Sequence, residues 1–429
     1  MTGIKVESGV KGESEKSVTL RDDISKRYQL AQNSLSLISN KTMAFPHTLR
    51  LVLAGILSLP ALLLLLVVAP VILLLSIPSL AILTRRKRNL FPSFAATPSS
   101  DADNSSSISR RYPLLQHAVV TGGSSGIGLS IALELAKRGC ENITLLARKE
   151  GQLAEAKKQV EEAVFESMLK GKGTKATTVR TISIDITDDK ALNKVAEDLC
   201  GEVGPPSLLF NCAGVSVPLD FEDLSPSNFR SQVKLNYLGS TYIVKAFLPF
   251  MEQQDNLGGN IVLTSSMSGQ AGTYGYCAYS PTKFAIRGFA ECLSMELAAH
   301  KSNVNIMLAY PPDTNTPGYE IENQNKPEAC RLISESGGIW EPDVVGRKIV
   351  KEALKSNPTF DIYFGIDGWM LSMLTSGMNP VTSVFDAVCQ VALMGLLRFI
   401  SLFYLMDFGR VTQNCSDQLI KEKEASKED

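Results

Sequence analysis

From about residue 113 onward the chain alternates short apolar runs with longer stretches whose apolar residues recur every three to four positions. "HAVVT" (117–121) has the composition of a buried strand, and "GIGLSIALELAKRG" (126–139) follows it as an apolar-periodic helix ended by Gly139. "NITLLAR" (142–148) is the next strand candidate. A charged amphipathic helix over 151–170 then places Leu153, Ala156, Val160 and Val164 on one side. "TISIDIT" (181–187), "SLLFNCAG" (207–214), "NIVLTSS" (260–266) and "VNIMLAYP" (304–311) complete the strand candidates, each separated from the next by a helix-length segment. Strand and helix alternating in this way predict an α/β fold, a doubly wound parallel sheet of Rossmann-like type with helices on both faces. No internal repeat is present.

A different pattern precedes this region. Residues 51–83 are 33 consecutive uncharged and mostly aliphatic residues. A bilayer core needs about 20 such residues as helix, and two full spans need about 17 each plus a turn. The run therefore predicts one N-terminal transmembrane helix kinked at Pro60 or Pro70, with a shallow re-entrant hairpin bent at Pro70 as the alternative. It begins too far into the chain, and is too long, for a conventional signal peptide. "TRRKR" (84–88) follows it directly, against only Lys41 and Arg50 before it, which puts everything after 84 in the cytosol. Asn40 heads an "NKT" sequon on the opposite side.

These patterns divide the chain into a polar segment (1–49), a membrane segment (50–83), a Ser/Pro/Asp-rich tether (84–112), a domain of alternating strands and helices (113–360), an apolar C-terminal region (361–410) and a charged tail (411–429). Within the apolar region, 384–406 carries Asp386 and Arg398, charges that are expensive near the middle of a span. It reads as a helical extension lying in the membrane interface, with a core-packing helix, a homo-oligomer contact or a second span as alternatives.

Charge adds an exclusion. With 43 basic and 44 acidic residues the chain offers nothing to attract a nucleic acid. Its eight cysteines are scattered without a C-x-x-C pair, and its three histidines are far apart, so no metal site is expected. Single cysteines at such spacings suit a reducing compartment.

The chemistry concentrates between 121 and 316. "TGGSSGIG" (121–128) falls at the junction of the first strand and first helix, where Gly122, Gly126 and Gly128 leave room for a tight turn and for a pyrophosphate at a helix N-terminus. The second strand ends "LLARKE". Arg148 and Lys149 suit a 2′-phosphate, and no carboxylate follows until Glu150, which favours NADPH over NADH. In "YCAYSPTKFAIRGFAE" (276–291), Tyr279 and Lys283 are neighbours on one helix face. A fixed positive charge beside a phenol lowers its pKa below the usual value of about 10. Pro281 between them is tolerated in a first helical turn, so the helix is expected to begin near Cys277.

The glycine spacing departs from the G-x-G-x-x-G fingerprint, and T-G-x-x-x-G-I-G instead resembles the short-chain dehydrogenase/reductase family. "NCAG" (211–214) resembles that family's N-N-A-G turn. "NYLGS" (236–240) supplies Asn236, and "VLTSS" (262–266) places Ser266 at the family's spacing, 13 residues before Tyr279. The resemblance implies a tetrad of Asn236, Ser266, Tyr279 and Lys283, with Ser265 as fallback for Ser266 if the register slips. It further implies that Gly122, Ser124, Ser125, Gly126, Ile127 and Gly128 hold the phosphates and that Asp185 meets the adenine amine. Asn211 and Gly214 would line the nicotinamide side, with Tyr279, Lys283 and Thr316 also near the cofactor. "PPDTNT" (311–316) departs from the family's P-G-x-x-x-T by placing Pro312 at the glycine, which stiffens the loop.

Three further stretches, "AYPPDTNTPGYE" (309–320), "NKPEACRLISES" (325–336) and "GIDGWMLSMLTSGMNPVTS" (365–383), resemble the branch of the family that reduces the ketone of sphingoid-base precursors. That resemblance implies a long-chain amino-ketone lipid as substrate, reduced at C3 by NADPH, and a place in the endoplasmic reticulum membrane. A membrane-bound reductase of a steroid or a 3-ketoacyl-CoA would share the tetrad. A non-catalytic NADPH-sensing or scaffold protein would typically lack the Tyr or the Lys that this chain keeps.

Overall fold

The computed structural model describes residues 113–169, 177–253, 258–355, 357–382 and 384–428. The expected membrane helix, the polar segment before it and the whole tether lie outside these residues. Seven parallel strands form one sheet in the order β3-β2-β1-β4-β5-β6-β7. They are β1 (His117–Thr121), β2 (Asn142–Ala147), β3 (Thr178–Ser183), β4 (Leu208–Asn211), β5 (Gly259–Thr264), β6 (Val304–Ala309) and β7 (Asp361–Ile362). The order reverses between β1 and β4, and such a switch point is where open α/β sheets bind ligands, beyond the carboxyl ends of the strands.

Strand residues alternate between two cores because successive side chains point to opposite faces. Ala118 and Val120 of β1, Ile143 and Leu145 of β2, and Leu208 and Phe210 of β4 pack toward α1 (Gly126–Lys137), α2 (Glu150–Leu169) and α9 (Pro342–Ala353). Val119, Leu146, Leu209, Ile261 and Leu263 pack toward α3 (Asp189–Val203), α5 (Ser240–Gln253) and α6 (Ser280–Ala299). Being covered on both faces is why these strands read as unbroken apolar runs. In α2, Leu153, Ala156 and Val160 are buried while Val164 is half-buried.

Three departures from the sequence expectations have local causes. β3 starts at Thr178, three residues early, because Arg180 and Asn142 bridge the strands by a 3.0 Å hydrogen bond and the register with β2 begins at Thr178. The two-residue β7 lies just past the domain end expected at 360 and pairs with Leu308 and Ala309 of β6. The third departure is in the C-terminal region. Its helix does not stop at the charged tail but runs as α11 (Val384–Glu428). An apolar window within 384–422 is long enough to cross a membrane and is almost wholly unburied. Its inner face packs Cys389 and Leu397 on Met373 of α10 (Gly365–Leu374). Shorter helices lie in the connections, α4 (Pro226–Gln232) between β4 and β5, and α7 (Pro317–Asn323) and α8 (Glu328–Glu335) between β6 and β7.

Candidate active site

At the end of β1 the chain turns through Gly122 at φ 64° and enters α1 through Gly126 at φ 55°, both in the left-handed region glycine favours. A Cβ on Gly128 would strike the Gly122 carbonyl, so loop and helix touch as backbone on backbone. Ser125 is the N-cap of α1, yet its hydroxyl makes no capping bond. The first-turn N–H groups of α1 therefore open toward the loop, an arrangement suited to an anion. Ser124 and Ile127 flank them, half-buried. A Cβ on Gly126 would lie 3.0 Å from Cγ2 of Thr316, which places the loop after β6 directly over the glycine turn. Thr316 itself caps α7, accepting from the Tyr319 N–H at 3.1 Å. Donors, space and an uncapped helix end together fit a dinucleotide pyrophosphate.

Arg148 and Lys149 are exposed at the end of β2. Asp185 is exposed beyond β3. Desolvation would raise its carboxyl, but the Thr187 N–H at 2.9 Å and the Arg148 charge hold it below the ordinary range.

The tetrad residues converge from three segments. Ser266 follows β5 in extended backbone and accepts from the Ser268 N–H at 3.1 Å. Its hydroxyl is within hydrogen-bonding reach of Tyr279. Lys283 is buried, with Nζ donating to the Thr264 carbonyl at 2.9 Å and lying 5.5 Å from the Tyr279 ring centroid. Asn236 sits in a π-helical stretch, Val233–Gly239, a distortion often found at functional positions. Its amide nitrogen donates to Val215 O and Thr282 Oγ1, and its oxygen accepts from Val215 N. A Cβ on Gly214 would stand 3.3 Å from Asn236 Oδ1 and 3.5 Å from Lys283 Nζ, so the glycine leaves this corner open.

Several expectations are corrected. Tyr279 is the N-cap of α6, which begins at Ser280 rather than near Cys277; Pro281 falls in the first turn, where no N–H is needed. The phenol is not lowered. Burial pushes Tyr279 up, the carboxylates of Glu322 and Asp313 add to this, and only the Ser266 hydroxyl opposes. Lys283 Nζ, 5.5 Å from the ring centroid, donates its hydrogen bond to the Thr264 carbonyl and not to the phenol, so it does not offset them. Burial instead pulls the Lys283 ammonium down to about 8. Asn211 does not face a ligand with its side chain. It is buried, accepting from Thr121 Oγ1 at 2.7 Å and donating to Ser240 Oγ at 2.6 Å, which ties β1 to α5. Ser265 is also accounted for: buried, it donates to the Lys283 carbonyl at 3.1 Å, leaving Ser266 as the hydroxyl beside the phenol.

Sequence reasoning missed a buried polar group beside the tetrad. The Tyr276 ring lies 5.3 Å from that of Tyr279, and its hydroxyl donates to Glu322 Oε1 at 2.5 Å. Lys326 Nζ, fully enclosed, pairs with Glu322 at 3.1 Å and Asp313 at 3.4 Å. Desolvation would lower its ammonium, but the two carboxylates raise it above the ordinary lysine value. The spacing of Glu322 and Lys326, four apart, was the available signal.

A hydroxyl, a phenol and an ammonium gathered beside an anion-binding helix end at a parallel-sheet switch point define a class. The chain belongs to the short-chain dehydrogenase/reductase family, whose short chain dehydrogenase signature it matches over residues 116–327. Among its relatives are 3-dehydrosphinganine reductase of Danio rerio, 43% identical over 312 residues covering 72% of this chain and 90% of the relative. The 3-ketodihydrosphingosine reductase of Bos taurus is 44% identical over 306 residues, covering 71% and 88%. A 3-dehydrosphinganine reductase of Arabidopsis thaliana is 33% identical over 302 residues, covering 70% and 86%.

Proposed function

We propose that this chain catalyses the NADPH-dependent reduction of 3-ketodihydrosphingosine to dihydrosphingosine, a step of sphingolipid base synthesis. The observation that carries this reading is the gathering of Ser266, Tyr279 and Lys283 in a chain 43–44% identical to reductases named for that substrate. The first-turn N–H groups of α1, with Gly122, Ser124, Ser125, Gly126, Ile127 and Gly128, hold the pyrophosphate. Arg148 and Lys149 hold the 2′-phosphate. When bound, the nicotinamide supplies a hydride to the C3 carbon. Ser266 donates a hydrogen bond that orients the carbonyl. Tyr279 gives the phenol proton to the carbonyl oxygen as negative charge develops there. A phenol held well above its ordinary pKa is protonated at every physiological pH, as a proton donor must be. Lys283 supplies positive charge near the phenolate that this transfer leaves behind, and Asn236 braces the corner in which Lys283 sits.

The decisive assay incubates detergent-solubilised protein with NADPH and 3-ketodihydrosphingosine and follows the amino diol by mass spectrometry. Absence of product, with a steroid or ketoacyl-CoA reduced instead, would discard the substrate and keep the chemistry. In the same assay Arg148→Glu should cut the preference for NADPH over NADH by roughly tenfold or more, because a charge-assisted contact becomes a repulsion. An unchanged ratio would remove Arg148 from the 2′-phosphate site.

The pH profile follows from Lys283. Its ammonium is present below about pH 8 and is lost as pH rises through that value. The kcat/KM for NADPH should accordingly fall on the alkaline side from about pH 8. A plateau extending well above that value would show that the Lys283 charge is dispensable.

The 51–83 apolar run anchors the chain in the endoplasmic reticulum membrane with the catalytic domain in the cytosol, where the lipid substrate is met at the bilayer surface. The exposed apolar face of α11, including Phe385, Phe399 and Leu402, rests on the same bilayer.

A further inference from the structure

Beside the tetrad, two carboxylates share one ammonium. Lys326 Nζ contacts Asp313 Oδ2 and Glu322 Oε1, and Tyr276 also donates to Oε1. Among the described residues no hydrogen bond reaches Asp313 Oδ1 or Glu322 Oε2. The group keeps one net negative charge, and both acids retain partial access to solvent, 20% and 14% for their side chains, while Lys326 has none. Tyr319 supplies a separate observation. It is nine-tenths buried with its ring 4.8 Å from Lys326 Nζ, and its hydroxyl lies beside the Asn323 side chain without a well-aligned hydrogen bond among the described residues. Asn323 Oδ1 is buried and unpartnered as well. Buried polar atoms without partners are exceptions in folded proteins, and two of them border these carboxylates.

The location narrows what that ligand group is. Tyr276 connects Glu322 to the Tyr279 ring, so the surplus charge lies one side-chain layer from that ring. Resting on the reading given under Proposed function, we infer that Asp313 and Glu322 are the specificity-determining carboxylates that receive the 2-ammonium of the amino-ketone substrate. The ammonium is bonded to the carbon next to the carbonyl, so a cation held at these carboxylates brings the ketone to Tyr279 and Ser266. With it bound, two negative and two positive charges balance. The carboxylates that push the phenol up are then offset, which makes the proton easier to release when an amine is present.

The test compares the amino-ketone with its des-amino analogue, identical in chain length and bearing hydrogen at C2, in wild type, Asp313→Asn and Glu322→Gln. Near-isosteric amides keep the volume, and thermal unfolding confirms that each variant folds. The wild type should favour the amino-ketone in kcat/KM by roughly tenfold or more, a typical effect of a hydrogen bond to a charged group. That ratio should collapse toward one in both variants. An unchanged ratio, or an equal fall for both ketones, would overturn the assignment. A second measurement separates it from the proposed function: tryptophan fluorescence of the full chain in micelles, titrated with octadecylamine and with octadecanol. An amine preference lost in the variants supports the ammonium site even if neither ketone is reduced. Equal binding of amine and alcohol by wild type would overturn it even if the ketone is reduced.

Discussion

Tyr279→Phe should lower kcat/KM for ketone reduction by about 10²–10⁴-fold while leaving nucleotide binding within twofold of wild type. The substitution removes one oxygen and keeps the ring. The packing against Tyr276, at 5.3 Å between centroids, and the position of Lys283 over the ring therefore survive. Only the proton that meets the developing alkoxide is lost, and among the described residues Ser266 is the other hydroxyl placed to approach it. A serine hydroxyl is a far weaker acid than a phenol and cannot take over. Measured turnover within a few-fold of wild type would mean that the proton comes from elsewhere.

Gly128→Ala is expected to have the next largest effect. The added methyl would be driven into the Gly122 carbonyl, and the obstacle is backbone rather than a flexible side chain. Relief requires α1 to move away from the loop that ends β1. Overpacking of this kind typically destabilises by about 1–3 kcal/mol. The displacement also misaims the first-turn N–H groups, so NADPH affinity should drop by roughly tenfold or more, each factor of ten being about 1.4 kcal/mol. Calorimetric unfolding with and without nucleotide reads both effects. An alanine variant that melts and binds like wild type would show that the loop has slack the backbone contact denies.

Strands covered on both faces advertise themselves as apolar runs, and for that reason β1, β2, β4, β5 and β6 were legible within a few residues. β7 was not, since two residues in "FDIYF" carry no pattern of their own and are held by pairing with β6. The candidate tetrad could be picked out because each proposed member sits at a fixed distance along the chain from a recognisable turn. Its electrostatics could not. A Tyr–Lys pair in sequence suggests a lowered phenol, whereas the actual balance depends on Glu322 and Asp313, which fold back from 34 to 43 residues away. Asn211 illustrates the same limit from another direction. Its position after β4 was readable, but that both ends of its amide are taken by Thr121 and Ser240 is a fact of three-dimensional packing.

α11 packs against α10 and against α8, and α8 begins two residues after Lys326. The surface on which α11 rests is thus separated from the Tyr276–Tyr279 pair by only one short helix. On the proposed reading, in which α11 rests on the bilayer, micelle, bicelle and vesicle would press differently on this helix, and turnover numbers obtained in different amphiphiles would describe different mechanical settings of one catalyst. The lipid environment belongs among the reaction conditions to be stated, beside temperature and buffer.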